Sequence, residues 1–509
     1  MIHAQTLKRS TLAVLFSQML LLGFVVSALS PLANAEASSE QQLYDRILDS
    51  IKRLEQQRLE EAVLPGKDKA QDKQKELRQD PDTETLPEVV TRCFPIEHIQ
   101  IESAGEPAPH LQRWAVKQVQ AWQGRCLLLT DIQALQRELN NKLITRGYIT
   151  SRVLLPEQKI ADGELKLLIA AGRVETVIGD GVKARLVELA LPSRRGQLLN
   201  LRDLEQGVEN LSRLPGMSFA FDLQPGAAYG TSKLLAKASW PRQYRASWLA
   251  SESYYGSTAH GNTQLSFEWG SLFGQPDRLT VGINSDLDRE VSDQARGGFF
   301  NYDLTLGYWL MAASFNRQRY ENQIAGVQKI AANGATDLSQ LELKRILYRS
   351  PYTRLGLAAL GSYADVRNLL DETTIRVSSY RLQSNGLRLD GSQLLGRTQL
   401  AASLTYENTK ADGPATQVLP GLSVADVNHE RWQLYASTQR QFTPLRSALQ
   451  FKINAQYSDD ALFASERFSL ASQSSVRAYD DISVSGNNGV AGSLDASITP
   501  RIDKLPLKG

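Results

Sequence analysis

The order of apolar and polar positions changes character at Trp240. Downstream of it, segments of about ten residues alternate strictly, which is the mark of a membrane β-barrel. In 448–457 one face carries Leu449, Phe451, Ile453, Ala455 and Tyr457, and the other Gln450, Lys452, Asn454 and Gln456. Residues 263–269 set Leu265, Phe267 and Trp269 against Gln264, Ser266 and Glu268, and 302–310 and 398–407 repeat the scheme. The pattern predicts a barrel over 241–509. A soluble β-sandwich alternates in the same way with its apolar face turned inward, so alternation alone leaves both folds open. Tyr308, Trp309, Tyr406 and Tyr457 at strand ends favour the barrel, because Trp and Tyr belong at membrane interfaces.

Upstream of Trp240 the texture is α+β. Over 93–173 it predicts a strand at 94–101, a helix at 111–122, a second helix at 130–147 and strands at 151–155 and 164–170. The second helix sets Ile132, Leu135, Leu139 and Leu143 on one face, with Thr130 or Asp131 as its cap and Gly147 as its stop. The same order recurs over 174–240: a strand at 175–178, helices at 184–189 and 201–214 with Asn200 as cap, and strands at 219–223 and 232–239. Two copies of one topology in tandem predict two related modules.

The N-terminus reads as an address. Lys8 and Arg9 precede an apolar run over 12–29, and Ala33-Asn34-Ala35 supplies the small residues of a cleavage site before Glu36. Residues 1–35 are therefore expected to be a signal peptide, the alternative being an uncleaved anchor. Within 36–63, Leu43, Ile47, Ile51, Leu54 and Leu59 follow helical spacing. Residues 64–92 turn to Lys, Asp, Gln, Glu and Pro and read as a linker.

Composition narrows the function. Of 509 residues 42% are hydrophobic and 22% charged, too polar for a helical membrane protein, and a net charge of +2 gives no footprint for nucleic acid. The two cysteines, Cys93 and Cys126, read in an exported chain as one disulfide, with two buried free thiols as the alternative. His98 and His110 lie near them without metal-type spacing, so neither metal nor cofactor is expected. His3, His98, His110, His260 and His429 are scattered, no nucleophile, Walker or dinucleotide pattern accompanies them, and no catalytic site is expected.

Several motifs carry a resemblance. Cys93-Phe94-Pro95-Ile96, Gly124-Arg125-Cys126-Leu127, Thr145-Arg146-Gly147-Tyr148-Ile149-Thr150, Leu199-Asn200-Leu201-Arg202-Asp203-Leu204-Glu205-Gln206-Gly207 and Asn210-Leu211-Ser212-Arg213-Leu214-Pro215 resemble the outer-membrane transporters of two-partner secretion, the ShlB/FhaC/HecB hemolysin secretion/activation type. The resemblance implies two periplasmic POTRA domains (93–173 and 174–240) ahead of a barrel of sixteen strands, with residues 36–63 as a helix plugging the pore at rest. It further implies that a loop at 460–489, bearing Ser475, Val476, Arg477, Ala478 and Tyr479, folds into the lumen. The implied partners are a secreted exoprotein with an N-terminal secretion domain, outer-membrane lipids and the barrel-assembly machinery. A barrel-assembly insertase and a passive solute porin are the alternatives.

The chain departs from the family at Ala478, where glycine is usual, at Ala471-Ser472, where a Gly-Gly pair is usual, and at Asn487, where aspartate is usual. About eleven strands precede the loop and at most one follows it before Gly509. The expectation is therefore a barrel incomplete at its C-terminal end.

Overall fold

A computed structural model describes residues 93–160, 162–255, 258–286, 293–324, 330–417, 425–442, 447–470 and 484–498. The segments expected to form the signal peptide, the plug helix and the linker lie outside the described residues. So does Ser475-Val476-Arg477-Ala478-Tyr479.

The first module runs β1 (Phe94–Ile96), β2 (His98–Ser103), α1 (Pro109–Val119), β3 (Arg125–Leu127), α2 (Leu129–Thr145), β4 (Arg152–Leu154) and β5 (Glu164–Ala170). The strand expected at 94–101 is two strands. The chain kinks at Glu97, where the N–H groups of Glu97 and His98 both donate to Gly163 O. This sends β1 to pair with β3, while β2 runs parallel to β5. Helix α2 begins one residue before the expected cap; Asp131 stands inside its first turn and accepts the Leu128 N–H at 2.9 Å. Ile132, Leu135, Leu139 and Leu143 are all buried against the sheet, as their spacing predicts.

Cys93 and Cys126 are joined with a Cα separation of 5.3 Å, tying the start of β1 to β3. The closed loop spans 33 residues, so its opening is expected to destabilise the module by about 3 to 4 kcal/mol. Cys126→Ser should show that loss as faster hydrogen exchange in α1 and α2, with the exchange of the barrel strands unchanged.

The second module repeats the plan with β6 (Arg173–Asp180), α3 (Ala184–Ala190), α4 (Leu201–Ser212), β7 (Ser218–Pro225) and β8 (Thr231–Ser239), in sheet order β6-β8-β7. Its core gathers Val187, Leu199, Leu204, Leu211 and Leu234. Gly147 welds the modules together. It ends α2 with a φ of +89°, its carbonyl accepts the Leu201 N–H, and a Cβ there would sit 2.3 Å from Asn200 Oδ1. That same Asn200 oxygen caps α4 through the Arg202 N–H, while its amide donates to Arg146 O.

From Tyr244 onward the long strands among the described residues build one antiparallel sheet. Its strands are β9 (Tyr244–Tyr255), β10 (Thr258–Gly270), β11 (Asp277–Asp286), β12 (Asp293–Leu306), β13 (Trp309–Ile324), β14 (Ile330–Arg349), β15 (Thr353–Leu370), the short β16 (Thr373–Thr374), β17 (Tyr380–Leu395), β18 (Thr398–Asp412), β19 (Asn428–Phe442), β20 (Ser447–Tyr457) and β23 (Gly489–Ile498). Each long strand pairs with the next, and β16 hangs on β15. Among the described residues, eleven long strands precede the loop and one follows it, in line with the alternation. The loop itself contains a hairpin stem, β21 (Phe468–Leu470) paired with β22 (Val484–Gly486).

Register separates the two faces. Leu341 of β14, Leu387 and Leu389 of β17, and Val490 and Leu494 of β23 share one face and keep 50–66% of their surface exposed, the face a lipid environment requires. The other face is polar and ion-paired. Tyr308 departs from its expected place at the membrane interface: its hydroxyl donates to Asp203 of α4 at 2.5 Å.

Candidate functional site

The second module is fastened to the short turns at one end of the sheet. Asn210 on α4 donates from its amide to Ala190 O and to Gly307 O in the turn between β12 and β13. Arg349, at the end of β14 with only 7% of its side chain exposed, bonds Gln206 Oε1 and Glu209 and lies 3.5 Å from Glu205. Arg354, at the start of β15, closes on the other oxygen of Glu209. Arg213 reaches Asp303 on β12, which Arg278 of β11 also holds. Helix α4 thus presents Asp203, Gln206, Glu209 and Asn210 to the turns, one polar stripe at helical spacing.

Ionisation in this stripe follows its surroundings. Burial works against charge on Glu209, and the guanidiniums of Arg354 and Arg349 outweigh it, so its carboxyl titrates below the usual range. For Asp203 burial wins over the hydroxyls of Ser193 and Tyr308, and its carboxyl titrates above the usual range.

Above the junction the inner face is lined by cross-strand ion pairs. Arg245–Glu268 and Arg278–Asp303 join neighbouring strands at 2.8 and 2.9 Å, and Arg431 pairs with Glu407. Two pairs skip a strand: Lys344 of β14 reaches Asp390 of β17 at 2.8 Å, and Glu342 pairs with Arg388, both passing over β15. The intervening positions are small. Ala358 is fully covered, and a Cβ on Gly356 would come within 2.9 Å of Lys344 Cε. The device recurs where Asn284 bonds Gln318 over Gly297, and where Tyr320 bonds Asn368 over Gly334. Glycines let these side chains lie along the wall instead of standing out from it.

Among the described residues, the loop is fixed to this wall by its two ends. Phe463 and Glu466 sink into the inner face of β17–β19, and Asn487 answers from the far end of the loop. Its Oδ1 accepts the Leu462 N–H at 3.2 Å, and its carbonyl accepts from Gln456 at 3.2 Å.

Sequence reading named Arg477 and the cysteines and passed over the charged residues of the wall and the junction. A signal was present. Leu341-Glu342-Leu343-Lys344 and Leu387-Arg388-Leu389-Asp390 carry opposite charges in the same order, and β14 and β17 run parallel because each is antiparallel to β15.

The comparisons with known proteins follow this architecture. Residues 94–172 match the ShlB-type POTRA domain, 173–225 a second POTRA domain, and 230–505 the haemolysin secretion/activation protein ShlB/FhaC/HecB. The chain is 29% identical over 371 residues to the outer membrane transporter CdiB of Dickeya dadantii, covering 72% of this chain and 66% of that one. It is 25% identical over 434 residues to the hemolysin transporter protein ShlB of Serratia marcescens, covering 82% and 74%. The solved structure of CdiB from Escherichia coli shares the fold, with a TM-score of 0.74 at 24% identity over 94% of this chain and 86% of that one. Two POTRA modules fastened to the short-turn end of a barrel-type sheet, together with a family match over more than half its length, establish that the chain belongs to the haemolysin secretion/activation protein family ShlB/FhaC/HecB.

Proposed function

We propose that this protein sits in the outer membrane with its POTRA modules in the periplasm and exports a large secreted exoprotein of the haemolysin, adhesin or contact-dependent toxin kind. The observation that carries the reading is the polar, ion-paired inner face, whose near end is held against the second module by Arg349, Arg354 and Asn210. An unfolded client meets strand edges first, at β2 and β4 of one module and β6 and β7 of the other. Edge strands offer unpaired backbone groups to which an extended peptide adds as a further strand. The client then passes along a wall whose charges are already paired.

The reading also assigns residues 36–63 to the pore at rest and the segment around Arg477 to the lumen. It takes outer-membrane lipids and the barrel-assembly machinery as partners, and it requires no enzymatic step.

Complementation tests it. In a strain lacking its own transporter, expression of this chain with an exoprotein bearing an N-terminal secretion domain should release that exoprotein into the medium. Release of small solutes without the exoprotein would instead make it a porin, and loss of other outer-membrane barrels on its deletion would make it an insertase.

A further inference from the structure

After β20 the chain turns back across the inner face of β17, β18 and β19, and it is pinned there at two points. Phe463, 4% exposed, fills a pocket formed by Val366, Tyr380, Leu382, Ala411 and Ala415, its ring centroid 4.5 Å from that of Tyr380. A 3-10 turn (Ala464–Glu466) then drives Glu466 into the wall beside it. The Glu466 carboxyl lies 2.5 Å from His429 Nε2, accepts the Thr409 hydroxyl at 3.2 Å and stands 4.0 Å from Arg431. Its carbonyl accepts from Gln456 at 2.8 Å and from Arg431 at 3.1 Å.

The His429 side chain is fully covered and Glu466 keeps 7% of its side-chain surface. A carboxyl this deep is costly to bury unless its oxygens are answered, and here the partners come from β18 and β19 together. A segment that merely crossed a wet lumen would leave its acid in water and its phenylalanine unburied. We infer that Phe463 and Glu466 are positioning residues: an apolar peg and an acidic hook, three residues apart, that keep residues 458–470 braced inside the bore. The brace rests on the reading of the inner face as a conduit, and it is separate from any contact of Arg477.

Thiol labelling tests it without a client. Both native cysteines are joined in one disulfide, and Ala411, 2% exposed beneath Phe463, is small enough to become a reporter. In the full-length protein in outer-membrane vesicles, Ala411→Cys should react slowly with a hydrophilic maleimide. Adding Phe463→Ala, Glu466→Gln or His429→Gln should raise the rate about tenfold, the shift in local opening expected from one lost buried contact. Phe463→Leu should restore slow labelling, since it refills the pocket. Heat-modifiable migration identifies the folded barrel, and Phe463→Ala carries the test alone if the polar variants do not fold. Fast labelling of Ala411→Cys by itself, or an unchanged rate in Phe463→Ala, overturns the brace. A failure of exoprotein release leaves these rates unaltered, so the two readings fail separately.

Discussion

Arg349→Ala is expected to uncouple the second POTRA module from the sheet and to abolish export while leaving both parts folded. The guanidinium answers Gln206, Glu205 and Glu209 at once and is nearly sealed from solvent. Its removal leaves Glu205 with Arg202 and Glu209 with Arg354. The cost is about 2 kcal/mol, that of losing hydrogen bonds to a charged group, because each carboxylate keeps one arginine and Glu209 keeps 37% of its side-chain surface in water. Exchange protection of α4 should fall by about thirtyfold, while that of α1 and α2 stays as it was. An Arg349→Ala protein with native protection in α4 and undiminished export would contradict the clamp.

Acid should mimic this variant. The Glu209 carboxyl titrates lower in the folded protein than free, so its contribution is fully present above the ordinary glutamate range and is lost as pH falls through the lowered value. Asp203 acts with the opposite sign: its raised carboxyl favours the folded state when neutral, and that contribution fades as pH rises through the raised value. Glu209→Gln should therefore remove the acid-side weakening of the junction, and Asp203→Asn should leave it in place.

Charge reversal at Arg388 is the second large effect. Arg388→Glu sets a carboxylate against Glu342 and leaves three acids with Lys344 alone among them. Both partners of the pair keep roughly a quarter of their side-chain surface in water, so the repulsion is screened and costs about 1 kcal/mol or less. The larger readout is permeation. The reversal should turn the bore toward cations, and Glu342→Arg on the same chain should bring it back, because the pair is rebuilt with its ends exchanged. Reversal potentials in planar bilayers under a salt gradient measure both changes. Identical selectivity in the parent, the single and the double variant would place these four residues outside the path of ions.

Different parts of the molecule were legible in the sequence for different reasons. Alternation of period two marked the barrel strands because one face meets lipid, and a slip of one residue would exchange the faces. The core helices were legible because Ile132, Leu135, Leu139 and Leu143 need no partner beyond their own spacing to declare a buried face. The kink at Glu97 was not, because it depends on Gly163, far along the chain, supplying one carbonyl to two successive N–H groups. Tyr308 misled for a related reason. An aromatic at a strand end suits a membrane interface, and only the approach of Asp203 from another domain recruits its hydroxyl. The pairs Glu342–Arg388 and Lys344–Asp390 were encoded in two short mirrored charge patterns, but reading them required knowing that β15 runs between their strands with Gly356 and Ala358 underneath.

Those missing side chains have a further consequence. The inner wall is lowest where nothing protrudes, at Gly297, Gly334 and Gly356, and side chains of the flanking strands lie across it there. A single codon change at any of them would wedge a neighbour toward the axis without touching the backbone ladder. Clearance along this wall is therefore set one methyl at a time.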